Sequence, residues 1–307
     1  MAESFYVRKS TVLIIAIFLG VILIGSTVSF AIWANYNTKY GFGEIVIRKD
    51  SDFANRYDLP GSGTINDPYL ITNLSYNSNK DYAIYIIDTT SYFVIKNCTF
   101  KNQRTGIYIR GIGSNTAKIQ DCDIQCSSTL SAIMIFIFNA PDIIIRNNNL
   151  YNMINDLHVS GIEIRDSQNV LIANNSCSNF DTGIRIHYCD NSLIEYNYVE
   201  LCYNGIRISD SHNSIIRYNT LFSNSEYGIR GSYSYDCVFH HNSFINNGFG
   251  GMLESQAYDT SPNIWYDISS TEGNFWSDLI WDDSANYTIA GYGGCVDLYP
   301  LQFPVLL

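Results

Sequence analysis

The sequence predicts an all-β chain wound as a parallel β-helix, a solenoid of about eight coils. The first observation is a repeat with three near copies that begin at Leu171, Leu193 and Ile215, each closing with a Gly-Ile-Arg segment. The second is a column of equivalent positions at gaps of 22 to 27 residues: Leu74, Cys98, Cys122, Asn148, Asn175, Asn197, Asn219 and Asn242. The third is a column of isoleucines: Ile84, Ile107, Ile133, Ile162, Ile184, Ile206 and Ile229.

The regular columns have a simple physical interpretation. Stacked coils place equivalent residues about 4.8 Å apart, so that inward Ile, Leu, Val and Phe form one continuous core. Parallel strands connected in this way cross to the right, which predicts a right-handed parallel β-helix. Asn tolerates the left-handed conformation of turns, and a stacked amide can donate to one neighbour and accept from the other. We therefore predict a structural asparagine ladder formed by Asn148, Asn175, Asn197, Asn219 and Asn242.

The composition limits the partners of the chain. Its 307 residues carry a formal net charge of −11, and the pI is near 4.7. A nucleic-acid surface needs a basic stripe, so we expect no nucleic-acid partner. No Cys or His spacing indicates a metal site, and no motif indicates a cofactor, so we expect neither.

The N-terminus predicts a membrane anchor. Residues 10–33 contain no charge, and at about 1.5 Å per residue a helix of this length spans a bilayer core of about 30 Å. Arg8 and Lys9 precede it, which predicts a cytoplasmic N-terminus, a single-pass cell-membrane protein and an extracellular β-helix. The alternative is a cleaved signal peptide with a small-x-small site at 29–31. Both interpretations place the repeats outside the cytoplasm.

The remaining chain divides around the repeats. The predicted segments are a cytoplasmic N-terminus at 1–9, a transmembrane helix at 10–33, a tether at 34–43, an N-terminal cap at 44–68, β-helix coils at 69–252 and a C-terminal cap at 253–307. Solenoid ends need caps because an open coil exposes core and strand edges. We expect Trp265, Trp276 and Trp281 to pack over the last coil, with an aromatic platform for sugar rings as the alternative.

Two motifs suggest a family. The opening segment "GSGTINDPYLIT" and the closing segments "GNFWSD" and "DLYPL" resemble those of archaeal secreted or membrane-anchored right-handed parallel β-helix proteins, which are grouped with the NosD-like and pectin-lyase-like superfamily. The resemblance covers roughly residues 44–302. It implies an extracellular fold and contact with carbohydrate, but not a particular activity. The Gly-Asp repeats usual before the last motif are replaced here by "DDSANYTIAGYGGC".

Covalent modification is also suggested by the sequence. Cys98 and Cys122 fall in one column of adjacent coils, where Cα atoms about 5 Å apart are within disulfide reach. We predict this pair as a candidate disulfide, with two small buried side chains as the alternative. Four sequons permit N-glycosylation on the outer side: Asn73, Asn97, Asn174 and Asn286.

An outward column predicts the main candidate site. The residues that follow the column isoleucines are Tyr85, Tyr108, Met134, Glu163, Arg185, Arg207 and Arg230. Stacked arginines repel one another, and an anion could bridge them because Arg presents a planar fork to carboxylate or sulfate. The predicted anionic-glycan face comprises Glu163, Arg165, Arg185, His187, Arg207 and Arg230. The alternative is that these arginines pair with acidic residues of neighbouring loops.

A second outward column is partly aromatic. It contains Asn147, Asn174, Tyr196, Tyr218 and His241. Tyr196 and Tyr218 form a candidate aromatic face for sugar rings, although Tyr is also frequent in exposed strands.

Catalytic residues are not evident, and we predict none. Hydrolysis requires two carboxylates about 5 to 10 Å apart, and a lyase requires carboxylates that hold calcium beside a basic residue. Asp190 and Asp210 lie near one corner, but in different columns. We therefore expect a non-catalytic cell-surface module that binds glycan or envelope polysaccharide. The alternatives are a polysaccharide lyase or glycoside hydrolase, with Glu163 and the arginines as its groove, and a structural surface spacer.

Overall fold

The computed structural model describes residues 43–126, 132–154, 159–248, 255–282 and 285–305. The predicted cytoplasmic segment and transmembrane helix, and the tether up to residue 42, lie outside the described residues. Within the ranges given, no helix is both long and apolar enough to cross a membrane. The described strands all belong to one unit, Gly43–Leu307.

Short strands make up nearly all the regular structure of the described residues. The first nine are β1 (Gly43–Ile47), β2 (Tyr69–Thr72), β3 (Ser75–Asn77), β4 (Tyr82–Thr89), β5 (Phe93–Lys96), β6 (Thr99–Lys101), β7 (Thr105–Ile112), β8 (Ala117–Gln120) and β9 (Asp123–Cys126). The next nine are β10 (Ala132–Phe138), β11 (Ile144–Arg146), β12 (Asn149–Asn152), β13 (Val159–Arg165), β14 (Leu171–Ala173), β15 (Ser176–Ser178), β16 (Thr182–His187), β17 (Leu193–Glu195) and β18 (Tyr198–Glu200). The last ten are β19 (Asn204–Ser209), β20 (Ile215–Arg217), β21 (Thr220–Phe222), β22 (Tyr227–Ser232), β23 (Val238–His240), β24 (Ser243–Ile245), β25 (Ala257–Asp259), β26 (Phe275–Trp276), β27 (Tyr287–Thr288) and β28 (Val296–Asp297). A helix, α1 (Ser51–Asn55), lies between β1 and β2.

These strands form three parallel sheets. The first sheet has nine strands in the order β1-β4-β7-β10-β13-β16-β19-β22-β25. The second has eight strands, β2-β5-β8-β11-β14-β17-β20-β23, and the third has nine, β3-β6-β9-β12-β15-β18-β21-β24-β26. Each complete coil contributes one strand to each sheet, and seven successive turns of the chain join the eight strands of the second sheet. The chain is therefore an all-β parallel solenoid of about seven turns. β27 and β28 form a separate antiparallel hairpin.

The core follows the isoleucine column, with one correction. In the coil that contains β10, Ile135 rather than Ile133 pairs with Ile107, and Phe136 rather than Met134 lies beside Tyr108. The sequence-based alignment was therefore wrong by two residues in this coil. The coil has no Gly before its column Ile, and Met134 occupies that place with its side chain fully buried. Without a Gly to mark the position, the sequence of this coil offers two isoleucines, Ile133 and Ile135, and the second is the column residue.

The asparagine ladder runs along the turns between the second and third sheets. The Asn148 side-chain amide donates to Oδ1 of Asn175 at 2.9 Å, and the Asn175 amide donates to Oδ1 of Asn197 at 3.0 Å. The same bond continues through Asn219 and Asn242. It then reaches Asn274, beyond the coils counted in the sequence, at 3.0 Å. These amides are 0–2% exposed, so each buried polar group is satisfied by its neighbours in the ladder.

Both ends of the solenoid are covered. At the first coil, β1 pairs with β4, and Phe53 of α1 is fully buried and stacks on Tyr69. At the last coil, Trp265 stacks on Phe239 at 4.3 Å, and Trp276 stacks on Phe244 at 4.1 Å.

The tryptophans of the C-terminal cap differ in their roles. The indole of Trp276 donates to buried Asp297 at 2.9 Å, and the indole of Trp265 donates to buried Asp259 at 3.2 Å. These two rings are therefore part of the core, as predicted. Trp281, by contrast, is 43% exposed and is not packed as we expected.

Candidate functional site

The predicted arginine column lies on the outer face of the first sheet. The alternation of the Gly-Ile-Arg-Ile segments points Ile inward and Arg outward, because successive residues of a strand face opposite sides. Strand register places Glu163 beside Arg185, Arg185 beside Arg207, and Arg207 beside Arg230. Tyr258 of β25 continues the same column after Arg230.

A groove of about 550 Å³ lies over this column, and we call it the arginine groove. Its lining residues are Arg185, His187, Arg207, Ser209, Asp210, Arg230, Ser232, Tyr233, Tyr258, Thr260 and Tyr292. The lining includes the three stacked arginines and the predicted His187. Three cationic side chains and three tyrosines in one groove suit a ligand that carries negative charge and has faces able to contact an aromatic ring.

Glu163 and Arg165 lie beside the groove rather than in it. Glu163 is only 2% exposed, and its Oε1 accepts from Nε of Arg165 at 2.6 Å. The Arg165 guanidinium also lies 5.6 Å from the ring centre of Phe136. Glu163 therefore acts as a buried anion at the end of the arginine column, and the geometry does not present it to a substrate.

The three arginines differ in their ion pairs. Arg185 lies 4.0 Å from Glu163, and Arg230 is paired with Glu226 at 2.9 Å. Arg207, in the middle, makes no ion pair with any residue in the described part of the chain. Burial lowers the pKa of Arg207, and the charges of Arg185 and Arg230 lower it further, although the carboxylates of Asp181 and Glu226 partly oppose this shift. The structure therefore concentrates positive charge around Arg207, which has no ion-pair partner of its own among the described residues.

Unsatisfied donors mark the same groove. Seven buried side-chain polar atoms have no hydrogen-bond partner among the described residues, and four of them belong to the groove. They are Nε of Arg185, Arg207 and Arg230, and Oγ of Ser209. A buried polar group without a partner costs about 1–3 kcal/mol, so these four atoms are unfavourable for folding unless another group satisfies them.

A histidine–aspartate pair lies at one side of the groove. Nε2 of His187 is 3.2 Å from Oδ2 of Asp210, and the His187 ring stacks on Tyr188 with centroids 4.1 Å apart. Asp210 also borders a smaller groove of about 370 Å³ lined by Asp166, Gln168, Tyr188, Asp190 and His212. Asp210 is the one carboxylate among the lining residues of the arginine groove.

The predicted aromatic face has a different geometry from the one expected. Tyr196 and Tyr218 lie in turns with φ of 55°, not in strands. Their rings are nearly parallel, with centroids 5.0 Å apart, and His241 continues the stack on the other side of Tyr218. The facing sides of the Tyr196 and Tyr218 rings cover one another, and Tyr196 remains 39% exposed. The role of this pair in binding sugar rings therefore stays a prediction.

The eight cysteines are all free and buried. Cys98 and Cys122 occupy adjacent coils as predicted, but as two separate buried thiols, which is the alternative to the candidate disulfide. Each sulfur instead lies 3.3 Å from the carbonyl oxygen two residues before it, on Lys96 and Gln120 respectively. These bonds continue the pattern of the asparagine ladder, whose amides donate in the same way at Asn197.

The sequon asparagines and the metal-ligating residue types complete the description of candidate sites. The four sequon asparagines, Asn73, Asn97, Asn174 and Asn286, are exposed. Across the described ranges, no group of three or more His, Cys, Asp or Glu side chains is arranged to hold a metal ion.

Several groove residues were not identified from the sequence. Ser209, Ser232 and Thr260 lie two residues after the outward column, a position that the register of Arg207, Arg230 and Tyr258 would have indicated. Tyr292 comes from the C-terminal cap, where the repeat has ended and no periodicity marks it.

Three comparisons with known proteins were informative to different degrees, and the family model alone identifies the fold. No curated protein matches the sequence. Among solved structures, the GH136 lacto-N-biosidase from Eubacterium ramulus is similar, with 10% sequence identity and a TM-score of 0.22. The alignment covers 69% of this chain and 51% of that chain, so this chain spans about half the length of the enzyme. A family model described as "Right handed beta helix region" matches residues 133–291, more than half of the chain. The chain therefore belongs to the right-handed β-helix family.

Proposed function

We propose that this protein is a β-helix module that binds an anionic glycan in the arginine groove without cleaving it. The observation that carries the proposal is Arg207, a half-buried cation that lies between two others and has no ion pair within the described residues. A carboxylate or sulfate group of a polysaccharide would supply the missing negative charge. Bidentate bonds to the guanidinium would suit either group.

The groove chemistry favours binding over hydrolysis. Hydrolysis by paired carboxylates needs two acidic groups about 5 to 10 Å apart facing the sugar. Asp210 is the one carboxylate that lines the groove, and it is already paired with His187. Glu163, which could have been the second, is buried beneath Arg165.

One observation favours a second candidate, an enzyme that acts on the same glycan. His187 is held by Asp210 inside the groove, and a histidine oriented by a carboxylate is a common general base. In a lyase or hydrolase, the arginines would then position the charged sugar beside His187.

We also propose that the module is displayed outside the cell and anchored by the uncharged segment at 10–33. Support comes from the sequence, where Arg8 and Lys9 precede the segment. Proteolysis of intact cells should remove the β-helix and leave a short membrane fragment. Protection of the β-helix from external protease would contradict this location.

The binding proposal is tested by measuring retention of the purified chain on neutral, uronate-containing and sulfated polysaccharides. We expect salt-sensitive retention on the anionic polymers. Arg207→Ala should weaken it about tenfold, equivalent to about 1.4 kcal/mol. Arg217→Ala is the matched control, because Arg217 lies on the second sheet and pairs with Glu195 at 2.8 Å.

The same samples distinguish the other functions. New reducing ends or unsaturated products that disappear in His187→Ala would show that the protein is an enzyme. Absence of both retention and products would favour a structural surface spacer.

A further inference from the structure

Tyr292 is the most exposed large side chain that lines the arginine groove. It lies in the loop between β27 and β28, and 91% of its surface is exposed. Tyr233, which lines the same groove, is 64% exposed. Burying an exposed aromatic ring is favourable because it removes apolar surface from water. Two exposed rings at one groove therefore indicate a binding surface.

The backbone around Tyr292 is fixed even though its ring is free. Asp259 N donates to the carbonyl of Ala290 at 2.8 Å, and Gly293 N donates to the carbonyl of Asp259 at 3.1 Å. Gly291 has φ of +109°, and a side chain there would collide with the Asp259 carbonyl. The loop thus packs its backbone directly on the last coil, so that Tyr292 is held in place at the groove.

Strand register explains why a residue of the cap reaches this site. Ala290 forms a parallel bridge with Tyr258, which itself follows Arg230 in the outward column. Two residues further along, Tyr292 follows Thr260, and both line the groove. The cap therefore adds one more segment of backbone to the edge of the first sheet, and this segment carries the Tyr292 ring.

We propose that Tyr292 is the sugar-stacking residue of the arginine groove, so that the ligand is an anionic pyranose and not a free anion. The inference rests on the proposed function. Arg207 binds the charged group of the sugar, and the Tyr292 ring packs against the apolar C–H face of the same or the next sugar ring. Tyr233, from the turn after β22, provides a second exposed ring in the groove.

The test measures binding of an oligogalacturonate and of inorganic sulfate to the whole chain by calorimetry. We expect Tyr292→Ala to weaken oligogalacturonate binding about five- to tenfold, at low and at high salt alike. Sulfate binding should be unchanged. Tyr292→Phe should stay within about twofold of the wild type, because the ring and not its hydroxyl makes the contact.

The control variant is Tyr151→Ala, which removes a tyrosine that is 43% exposed on the third sheet. It should leave both affinities unchanged. The inference is wrong if the wild type binds the oligosaccharide and Tyr292→Ala binds it equally well, a result that leaves the role of Arg207 intact. Absence of oligosaccharide binding by the wild type would overturn the proposed function and this inference together.

Discussion

The outer face of the first sheet has two halves that share a backbone but differ in chemistry. In the N-terminal half, Tyr85 and Tyr108 stack with centroids 4.9 Å apart, and Phe136 packs edge-on against Tyr108 at 5.4 Å. In the C-terminal half, the same column carries Arg185, Arg207 and Arg230. Both halves use strands of the same spacing and register.

The difference between the halves lies in how neighbouring side chains of the column interact. Aromatic neighbours in a column attract one another, whereas arginine neighbours repel. The aromatic half therefore stabilises the solenoid by its own contacts. The cationic half places three like charges side by side, and under the proposed function an anion bound in the arginine groove would offset their repulsion. Glu163 lies at the boundary between the halves, beside Phe136 on one side and Arg185 on the other.

The largest loss of stability is expected from replacing Glu163, the acidic residue at the boundary between the halves. Glu163→Ala should lower the free energy of unfolding by about 2–4 kcal/mol, because Arg165 and Arg185 lose their shared acidic partner. Chemical denaturation measures this loss. Glu195→Ala, which breaks the more exposed pair with Arg217 on the second sheet, is the control and should cost less. Equal losses would mean that the boundary between the halves has no special importance.

A somewhat smaller loss of stability is expected from a substitution in the aromatic half. Tyr108→Ala should destabilise the protein by about 2 kcal/mol, since it removes the ring between Tyr85 and Phe136. Thermal unfolding measures the loss, and glycan retention should be unchanged. Weaker retention in this variant would show that the two halves form one binding surface.

In the cationic half, we expect a substitution to increase the stability of the protein instead of decreasing it. Arg207→Leu should raise the free energy of unfolding by about 1 kcal/mol, because it removes a half-buried charge that is repelled from both sides. The same variant should lose glycan retention. A gain in stability with a loss of binding is the signature of a functional site. Destabilisation comparable to that of Tyr108→Ala would instead identify Arg207 as a structural residue.

The smallest expected effect is that of salt on the stability of the protein. Without a ligand, added salt should stabilise the wild type by a few tenths of a kcal/mol, because it screens repulsion among the three arginines. Arg207→Leu should reduce this dependence, whereas Tyr108→Ala should retain it. Denaturation curves at low and moderate ionic strength make the comparison. If the stability of Arg207→Leu depended on ionic strength as strongly as that of the wild type, repulsion among the three arginines would not explain the salt effect.

The solenoid itself could be predicted from the sequence because each coil repeats the same inward positions. The asparagine columns and the outward position of Arg185, Arg207 and Arg230 follow from that periodicity alone. The prediction failed at Met134, where the coil lacks its Gly and the register was assigned two residues too early. Periodicity defines a column only where each coil carries its marker residue.

The candidate site was harder to predict than the fold. Its far end is built by Tyr258 and Tyr292, which come from the segment after the repeats. The ion pairs that distinguish Arg207 from its neighbours involve Glu226 and the burial of Glu163, and neither can be deduced from column positions. The Tyr196–Tyr218 pair shows the same limitation, since its exposure was foreseen but the mutual covering of the rings was not.

The most direct test of the account is the affinity of wild type and Arg207→Leu for an oligogalacturonate, measured together with their stability. The account predicts that the substitution weakens binding about tenfold or more and leaves the protein at least as stable. Unchanged affinity in a folded Arg207→Leu variant would contradict the assignment of the arginine groove as the glycan-binding site.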